Sequence, residues 1–434
     1  RKGARRPGSD RVHGRLPRSA SRRLRLINIR AAKARRLSMD LSFSPEEERF
    51  RERARKFFAD NLPPGWAGGS GRPSGVSQLE FLRDWQRRLA ANGFLGMAWP
   101  REYGGQGASQ IETAIFNEES ARVRAPGPLN LIGLSMVGPT LMSHGTPEQK
   151  ERFLAKIMSA DEIWCQGFSE PNSGSDVASL STRAELQGDE FVVNGQKVWT
   201  TLAHISQWCM LIARTDPNAP KHRGISCLLI DMKTPGITVK PLRQLTGEAE
   251  FNELFFDEVR VPRANLLGPL NEGWRVATTT LMNERGTSAL AQVMRYRIVF
   301  DEIVDLARKT SRHGRPATQD SILRQQLAQF HVDLEMARFT AYRTFSKILK
   351  GGDPGPVGSI SKLAWSELNQ RMMEFVVALE GPASQLMRGS PHAVQSGRWQ
   401  HHFMRSRANT IEAGTSEIQR NIIAERVLGL PKSR

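Results

Sequence analysis

The sequence predicts an α+β multidomain protein, with an N-terminal helical domain, a central β-sandwich or barrel domain and a C-terminal four-helix bundle. Three observations predict it. Apolar residues recur at helical period up to about residue 160, short β-rich runs separated by turn residues follow, and long helical patterns return beyond Asn271. The expected division is a disordered basic tail over 1–38, a helical domain over 39–160, a β domain over 161–268 and the bundle over 269–434.

Charge sets the tail apart. The 434-residue chain has a formal net charge of +18, but 14 of its 62 basic residues and only one of its 44 acidic residues lie in 1–38, leaving +5 for the rest. The tail has no aromatic residue, and Met39 stands just before a well-formed helix start. Three origins fit an Arg- and Ser-bearing, acid-poor stretch: translated sequence upstream of a natural start at Met39, an organelle-targeting segment, or a solvated basic arm.

The first helix is announced by Ser44 as cap, Pro45 at the first position and Glu46, Glu47 and Glu48 at the positive end of the dipole. Phe50, Ala54, Phe57, Phe58 and Leu62 then form an apolar stripe that Pro63 and Pro64 end. Similar stripes cover Leu79 to Leu89, Ile111 to Val123, Leu129 to Met142 and Pro147 to Met158. In Glu190-Phe-Val-Val-Asn-Gly-Gln-Lys-Val-Trp199, two β-rich runs flank Asn194-Gly195, a strong hairpin signal. Further strands are expected over Gln207 to Ala213, Ile225 to Met232, Ile237 to Leu242 and Phe251 to Val261. The bundle helices are expected over Trp274 to Lys309, Gln319 to Lys350, Ser359 to Leu386 and Ser416 to Leu428, with the Met372-Met373 pair in the core.

Composition excludes several classes. With 39% hydrophobic and 24% charged residues the chain is too apolar for a disordered polymer. No run approaches the ~18 uninterrupted apolar residues of a membrane helix. Cys165, Cys209 and Cys227 match neither a disulfide framework nor a zinc site, so no metal is expected and a cytoplasmic location is.

Four local strings carry a resemblance. Cys165-Gln-Gly-Phe-Ser-Glu-Pro-Asn-Ser-Gly-Ser-Asp176, Asn194-Gly-Gln-Lys-Val-Trp-Thr-Thr201, Phe255-Phe-Asp-Glu-Val-Arg-Val-Pro262 with Gly273-Trp274, and Gly414-Thr-Ser-Glu-Ile-Gln-Arg420 occur in the order found in the acyl-CoA dehydrogenase family. From about Leu41 to the C terminus the chain resembles that family. The resemblance implies FAD as cofactor, an acyl-CoA substrate, a trans-2-enoyl-CoA product and electron-transfer flavoprotein as acceptor. It also implies a homodimer or homotetramer, because the family completes each flavin site with a neighbour's bundle.

The resemblance assigns roles residue by residue. Phe168 and Ser169 are expected at the isoalloxazine, Ser175 at the diphosphate or the substrate, and Trp199 and Thr201 behind the ring and at its N5 side. Locally, Glu170 to Asp176 reads equally as a capped turn and Trp199 as a buried strand tryptophan. Thr415 and Glu417 match positions over the adenosine end of FAD, although a helix cap explains them as well. Arg285 matches the arginine that holds the CoA side of the substrate, the alternative being a surface salt bridge.

The reaction needs a carboxylate base in a water-poor pocket, where desolvation strengthens it as a proton acceptor. Family members carry it at one of two places. In Ile411-Glu-Ala-Gly-Thr415 the late position is Ala413, with Glu412 one residue off, whereas Leu281-Met-Asn-Glu-Arg285 matches the early version. Glu284 is the expected base and Glu412 the alternative.

Two family strings are missing. An Arg-x-x-Phe-Gly string that reaches the neighbouring subunit's flavin diphosphate is replaced by Thr310 and His313-Gly314, and Gln-x-x-Gly-Gly by Val377-Ala-Leu-Glu-Gly381. Arg312 is the candidate substitute, and a hetero-oligomer with a related subunit is the other solution. Alternatives on the same fold are a flavin oxidase or monooxygenase, a catalytically silent partner subunit, or a DNA-binding relative, the last disfavoured by the modest charge outside the tail. The acyl group stays open among straight, branched, aromatic and steroid-linked chains.

Overall fold

The computed structural model describes residues 43–66, 68, 76–285, 288–350 and 355–432, with backbone only for 283–285, 288–290 and 348–349. The tail expected over 1–38 lies outside the described residues. Helices α1 (Pro45–Asn61), α2 (Gln78–Ala91), α3 (Gln110–Arg122), α4 (Gly138–His144) and α5 (Pro147–Ser159) come first. Four of them start with reciprocal caps. Ser44 with Glu47, Ser77 with Glu80, Ser109 with Glu112 and Thr146 with Gln149 each satisfy two backbone N–H groups that the first turn leaves without partners. The helix expected over Leu129 to Met142 is interrupted by a π turn, Gly133–Val137, before α4. At Gly138 an added Cβ would lie 2.1 Å from the Trp99 ring, so glycine there lets the indole pack against the backbone.

Strands β1 (Trp164–Gly167), β2 (Arg183–Gln187), β3 (Glu190–Thr201), β4 (Trp208–Arg214), β5 (Ile225–Asp231), β6 (Ile237–Leu242), β7 (Phe251–Pro262) and β8 (Leu266–Leu267) form one sheet. Its order is β6-β7-β3-β2-β4-β5-β8, with β1 parallel on β4. The expected hairpin at Asn194-Gly195 is corrected here. Strand β3 runs straight through the pair, and the chain turns instead between Gln187 and Glu190. The bulge lies in β7, where Asp257 and Glu258 together oppose Asn194, and Glu258 adopts φ 50°. The reason is a cross-strand fit. A Cβ at Gly195 would lie 2.5 Å from Thr182 Oγ1, and Asn194 trades its side-chain hydrogen bonds with Glu258, accepting from Glu258 N at 2.9 Å and donating to its Oε1 at 2.7 Å.

Beyond the sheet come α6 (Gly273–Arg285), α7 (Ser288–Lys309), the hairpin β9 (Ser311–Arg312) with β10 (Arg315–Pro316), α8 (Ser321–Leu349), α9 (Gly358–Glu380), α10 (Arg398–Ser406) and α11 (Ser416–Ile422). The helix expected over Trp274 to Lys309 is thus two helices, and the expected Ser359 to Leu386 helix passes into a 3₁₀ turn after Glu380. Helix α10 carried too few apolar residues to be read from periodicity. Its Trp399 is nevertheless fully buried, in a bundle cluster with Phe300, Ile303, Leu334, Met372 and Val376. A second cluster joins α1, α2 and α5 to the sheet through Phe153, Trp164 and Met210, and reaches Val276 on α6. A third fills the sheet's own interior around Phe191, Leu211 and Leu254.

Candidate active site

The site is built on a break in β3. Lys197 pairs with Leu254 and Thr200 with Asn252, so Val198 and Trp199 together oppose Glu253, which is a second bulge. Trp199 adopts φ 61°, a left-handed conformation that is costly for a bulky side chain. The consequence is direction. The indole stands 60% exposed where a regular strand would turn it inward, and its edge meets Phe251 at 6.0 Å between centroids. Buried Asn252 supports the bulge by donating to the Thr200 carbonyl at 3.0 Å. Thr201 follows half-buried.

The polar loop after β1 runs beside this bulge. Val198 N–H donates to the Ser169 carbonyl at 2.9 Å, which places Ser169 one residue from Trp199 across that bond. Glu170 is buried and accepts from Ser181 N at 2.6 Å, Thr182 N at 2.9 Å and the Lys197 ammonium at 2.8 Å. Burial alone would raise its pKa, but the Lys197 charge and these donors outweigh burial and hold the carboxyl below the usual range. Ser175 is exposed on the same loop, next to Asp176, which pairs with Lys221. The Phe168 ring is 5% exposed and belongs to the cluster under the N-terminal helices, which leaves its backbone as the part beside the loop.

The other expected residues lie elsewhere in the fold. Thr415 caps α11, accepting from Ile418 N at 3.2 Å. With Glu417, Glu367, Arg371 and Arg420 it lines a 490 Å³ cleft between α9 and α11. Glu417 is exposed, and its own backbone N–H and the Thr415 side chain hold its carboxyl below the ordinary range. Ser416 is buried in the same cleft, and its Oγ has no hydrogen-bond partner among the described residues. Arg312 is exposed on the β9-β10 hairpin, and its side chain makes no ion pair or hydrogen bond among the described residues. Glu284 and Arg285 are the last two residues of α6, and their side chains lie outside the description.

Glu412 is engaged. Arg405 grips both its oxygens and Asn409 donates to one of them. Sequence reasoning did not find Lys197, Glu170, Asn252 or Arg405. The one local signal was a lysine inside the β-rich run from Gln196 to Trp199.

An outward indole fixed by a strained backbone beside a loop of peptide groups fits one face and edge of a planar heterocycle, and the orphaned Ser416 hydroxyl in a polar cleft fits a nucleotide's acceptors. Trp199 on the sheet and Ser416 in the α9-α11 cleft are two separate places in this chain, and the class of protein they suit is a flavin-dependent oxidoreductase. Residues 44–161, 165–259 and 271–428 match the N-terminal, middle and C-terminal domain models of acyl-CoA dehydrogenase. Acyl-CoA dehydrogenase IpdE1 of Mycolicibacterium smegmatis is 42% identical over 402 residues, covering 89% of this chain and 98% of that protein. FadE26 of Mycobacterium tuberculosis is 33% identical, covering 91% and 100%. Among solved structures, the Tcur3481-Tcur3483 steroid ACAD and the ChsE4-ChsE5 complex of Mycobacterium tuberculosis each align with TM-score 0.78 at 31% identity, covering 91% of this chain and 100% of theirs. The chain belongs to the acyl-CoA dehydrogenase family, whose members are FAD-dependent oxidoreductases acting on acyl-CoA. No helix among the described residues is long and apolar enough to cross a membrane.

Proposed function

We propose that the chain dehydrogenates a bulky, steroid-derived acyl-CoA to its trans-2-enoyl-CoA within a hetero-oligomer, passing electrons to an electron-transfer flavoprotein. The observation that carries the reading is the outward Trp199 on its bulge beside Ser169, since a strained backbone that exposes a large aromatic ring is explained by something stacked on it. FAD, when bound, supplies the hydride acceptor. Trp199, Thr201 and the Phe168-Ser169 backbone orient the ring, Ser175 meets the diphosphate, Arg312 reaches the diphosphate of a neighbouring subunit's flavin, and Thr415 and Glu417 close the adenosine end. Glu284 takes the proton from the carbon next to the thioester carbonyl, and Arg285 holds the CoA side. Glu412, already held by Arg405, stays out of the chemistry.

Two facts support the hetero-oligomer. Thr310, His313 and Val377 stand where the family's intersubunit flavin contacts would be, so two copies of this chain lack part of each other's site. On α8, Val332, Met336 and Phe339 fall on one face, each more than half exposed, an apolar stripe suited to a partner's bundle. The steroid assignment rests on the solved relatives described as a steroid ACAD. Anaerobic flavin bleaching by a panel of acyl-CoAs tests it. Fast bleaching by steroid-derived thioesters and slow bleaching by straight chains is the expected result; the reverse order would overturn the substrate class, and no bleaching by any member would overturn the dehydrogenase reading.

A further inference from the structure

Lys197 has no accessible surface, and its ammonium lies in the sheet interior. Few lysines are found so deep without a function or a full set of partners. Its Nζ donates to the Phe168 carbonyl at 3.1 Å and to Glu170 Oε1 at 2.8 Å. Its stem crosses Gly167, where an added Cβ would meet Leu211 at 2.9 Å, the Cys209 sulfur at 3.1 Å and the Lys197 Cγ at 3.5 Å. One side chain therefore ties three segments together: β3 with its Trp199 bulge, the Phe168-Ser169 peptide, and, through Glu170, the Ser181-Thr182 backbone.

We propose that Lys197, clamped by Glu170, is a positioning residue for the flavin, fixing the Phe168-Ser169 backbone at a set spacing from the Trp199 indole. The proposal rests on the flavin reading of this loop. Apart from the Val198-to-Ser169 hydrogen bond, the ammonium's bond to Phe168 is the direct tie between the two walls. Position along β3 adds to the case: Lys197 directly precedes Val198, the first residue of the bulge, and stands two residues before Trp199.

A purely structural buried ion pair can be replaced by neutral groups of similar shape with little loss of stability, and such replacement can even stabilise. That sets the test. Lys197→Met combined with Glu170→Gln leaves no buried charge without its partner. The double variant should keep its melting temperature within a few degrees, yet bind FAD at least tenfold more weakly and lose fine structure in the bound flavin's visible band, in titrations of apoprotein prepared from the full chain in its purified assembly.

A second arm uses the unmodified protein. Burial pushes the Lys197 ammonium down to about 8 against the opposing pull of Glu170; the other group facing it is the Cys209 thiol on β4, beside Cys165 on β1, whose thiol burial pushes up. FAD affinity of the wild type should therefore fall several-fold between pH 7 and 9, and that of the double variant should stay flat. If the variant binds FAD with wild-type affinity and spectrum, or if wild-type affinity does not change with pH, the positioning role is overturned while the flavin reading stands. A double variant that does not fold leaves the pH arm to decide. A wild-type chain that binds no FAD overturns the flavin reading itself.

Discussion

Arg405 holds Glu412 with both arms of its guanidinium, Nη1 3.2 Å from Oε1 and Nη2 2.9 Å from Oε2, and Asn409 Nδ2 adds a third donor at 2.8 Å. Burial disfavours the arginine's charge, but the hydrogen bond and charge of Glu412 outweigh it and hold its pKa above the ordinary value. With both oxygens held, the carboxylate is not free to turn toward a substrate. Glu412→Gln should cost about 1–2 kcal/mol of stability and leave flavin reduction within about tenfold of wild type. Glu284→Gln should leave FAD and acyl-CoA binding nearly intact and slow flavin reduction by at least the ~10²- to 10⁴-fold typical of losing a general base. Rapid-mixing measurements on both variants decide. A fast Glu284→Gln enzyme beside a dead Glu412→Gln enzyme would reverse the assignment.

The Trp199 bulge separates stacking from folding. Because the indole is 60% exposed, Trp199→Ala should change stability by less than about 0.5 kcal/mol, while loss of the stacked ring weakens FAD binding about tenfold. Trp199→Gly should be more stable than the alanine variant by about 1 kcal/mol, since glycine adopts φ 61° without the cost an L residue bears. Urea unfolding and apoprotein titration with FAD measure the two quantities. Equal FAD affinity in wild type and both variants would take Trp199 out of the site.

Local signals were the legible ones. The Ser44-Glu47 cap and the Phe50-Ala54-Phe57 stripe act within two turns of chain, so their spacing announces them, and α1 starts at Pro45 as read. Asn194-Gly195 misled because the same dipeptide serves a hairpin turn or a strand opposite a bulge, and the choice lies with Thr182 and Glu258, distant in sequence. Glu170 and Lys197 are 27 residues apart, and nothing in either string shows that one neutralises the other inside the sheet. Phe168 sits in a matching string, yet whether its ring or its peptide meets the cofactor depends on how the N-terminal helices cover it.

Arg312 is free to reach outward from the β9-β10 hairpin. If it supplies the diphosphate contact missing at Thr310, Arg312→Ala should leave stability within about 0.5 kcal/mol and weaken FAD binding ten- to a hundredfold, the scale of one charge-assisted contact. If Arg312 does not supply it, the chain produced without a partner subunit should hold less than one flavin per chain, read from visible absorbance against protein. Full occupancy and unchanged affinity in the variant would remove Arg312 from the site and leave the contact to another residue.

Acid sensitivity should centre on Glu119, which joins α1 to α3. Its side chain is 1% exposed and pairs with Arg51 at 2.8 Å, Arg55 at 2.9 Å and Arg122 at 2.6 Å. Burial by itself would raise its pKa; the hydrogen bonds from Arg55 and Arg51 and the Arg122 charge overcome that and lower it. With the folded value below the unfolded 4.5, the unfolded chain takes up the proton first, so the pair's stabilisation is complete above about pH 4.5 and lost as pH falls through the folded value. Glu119→Gln leaves three arginines facing a neutral amide and should cost about 3–5 kcal/mol at pH 7. The gap between wild type and variant in urea unfolding should then narrow steadily from pH 5 to 3.5. A gap that stays constant over that range would mean the Glu119 cluster contributes shape rather than charge.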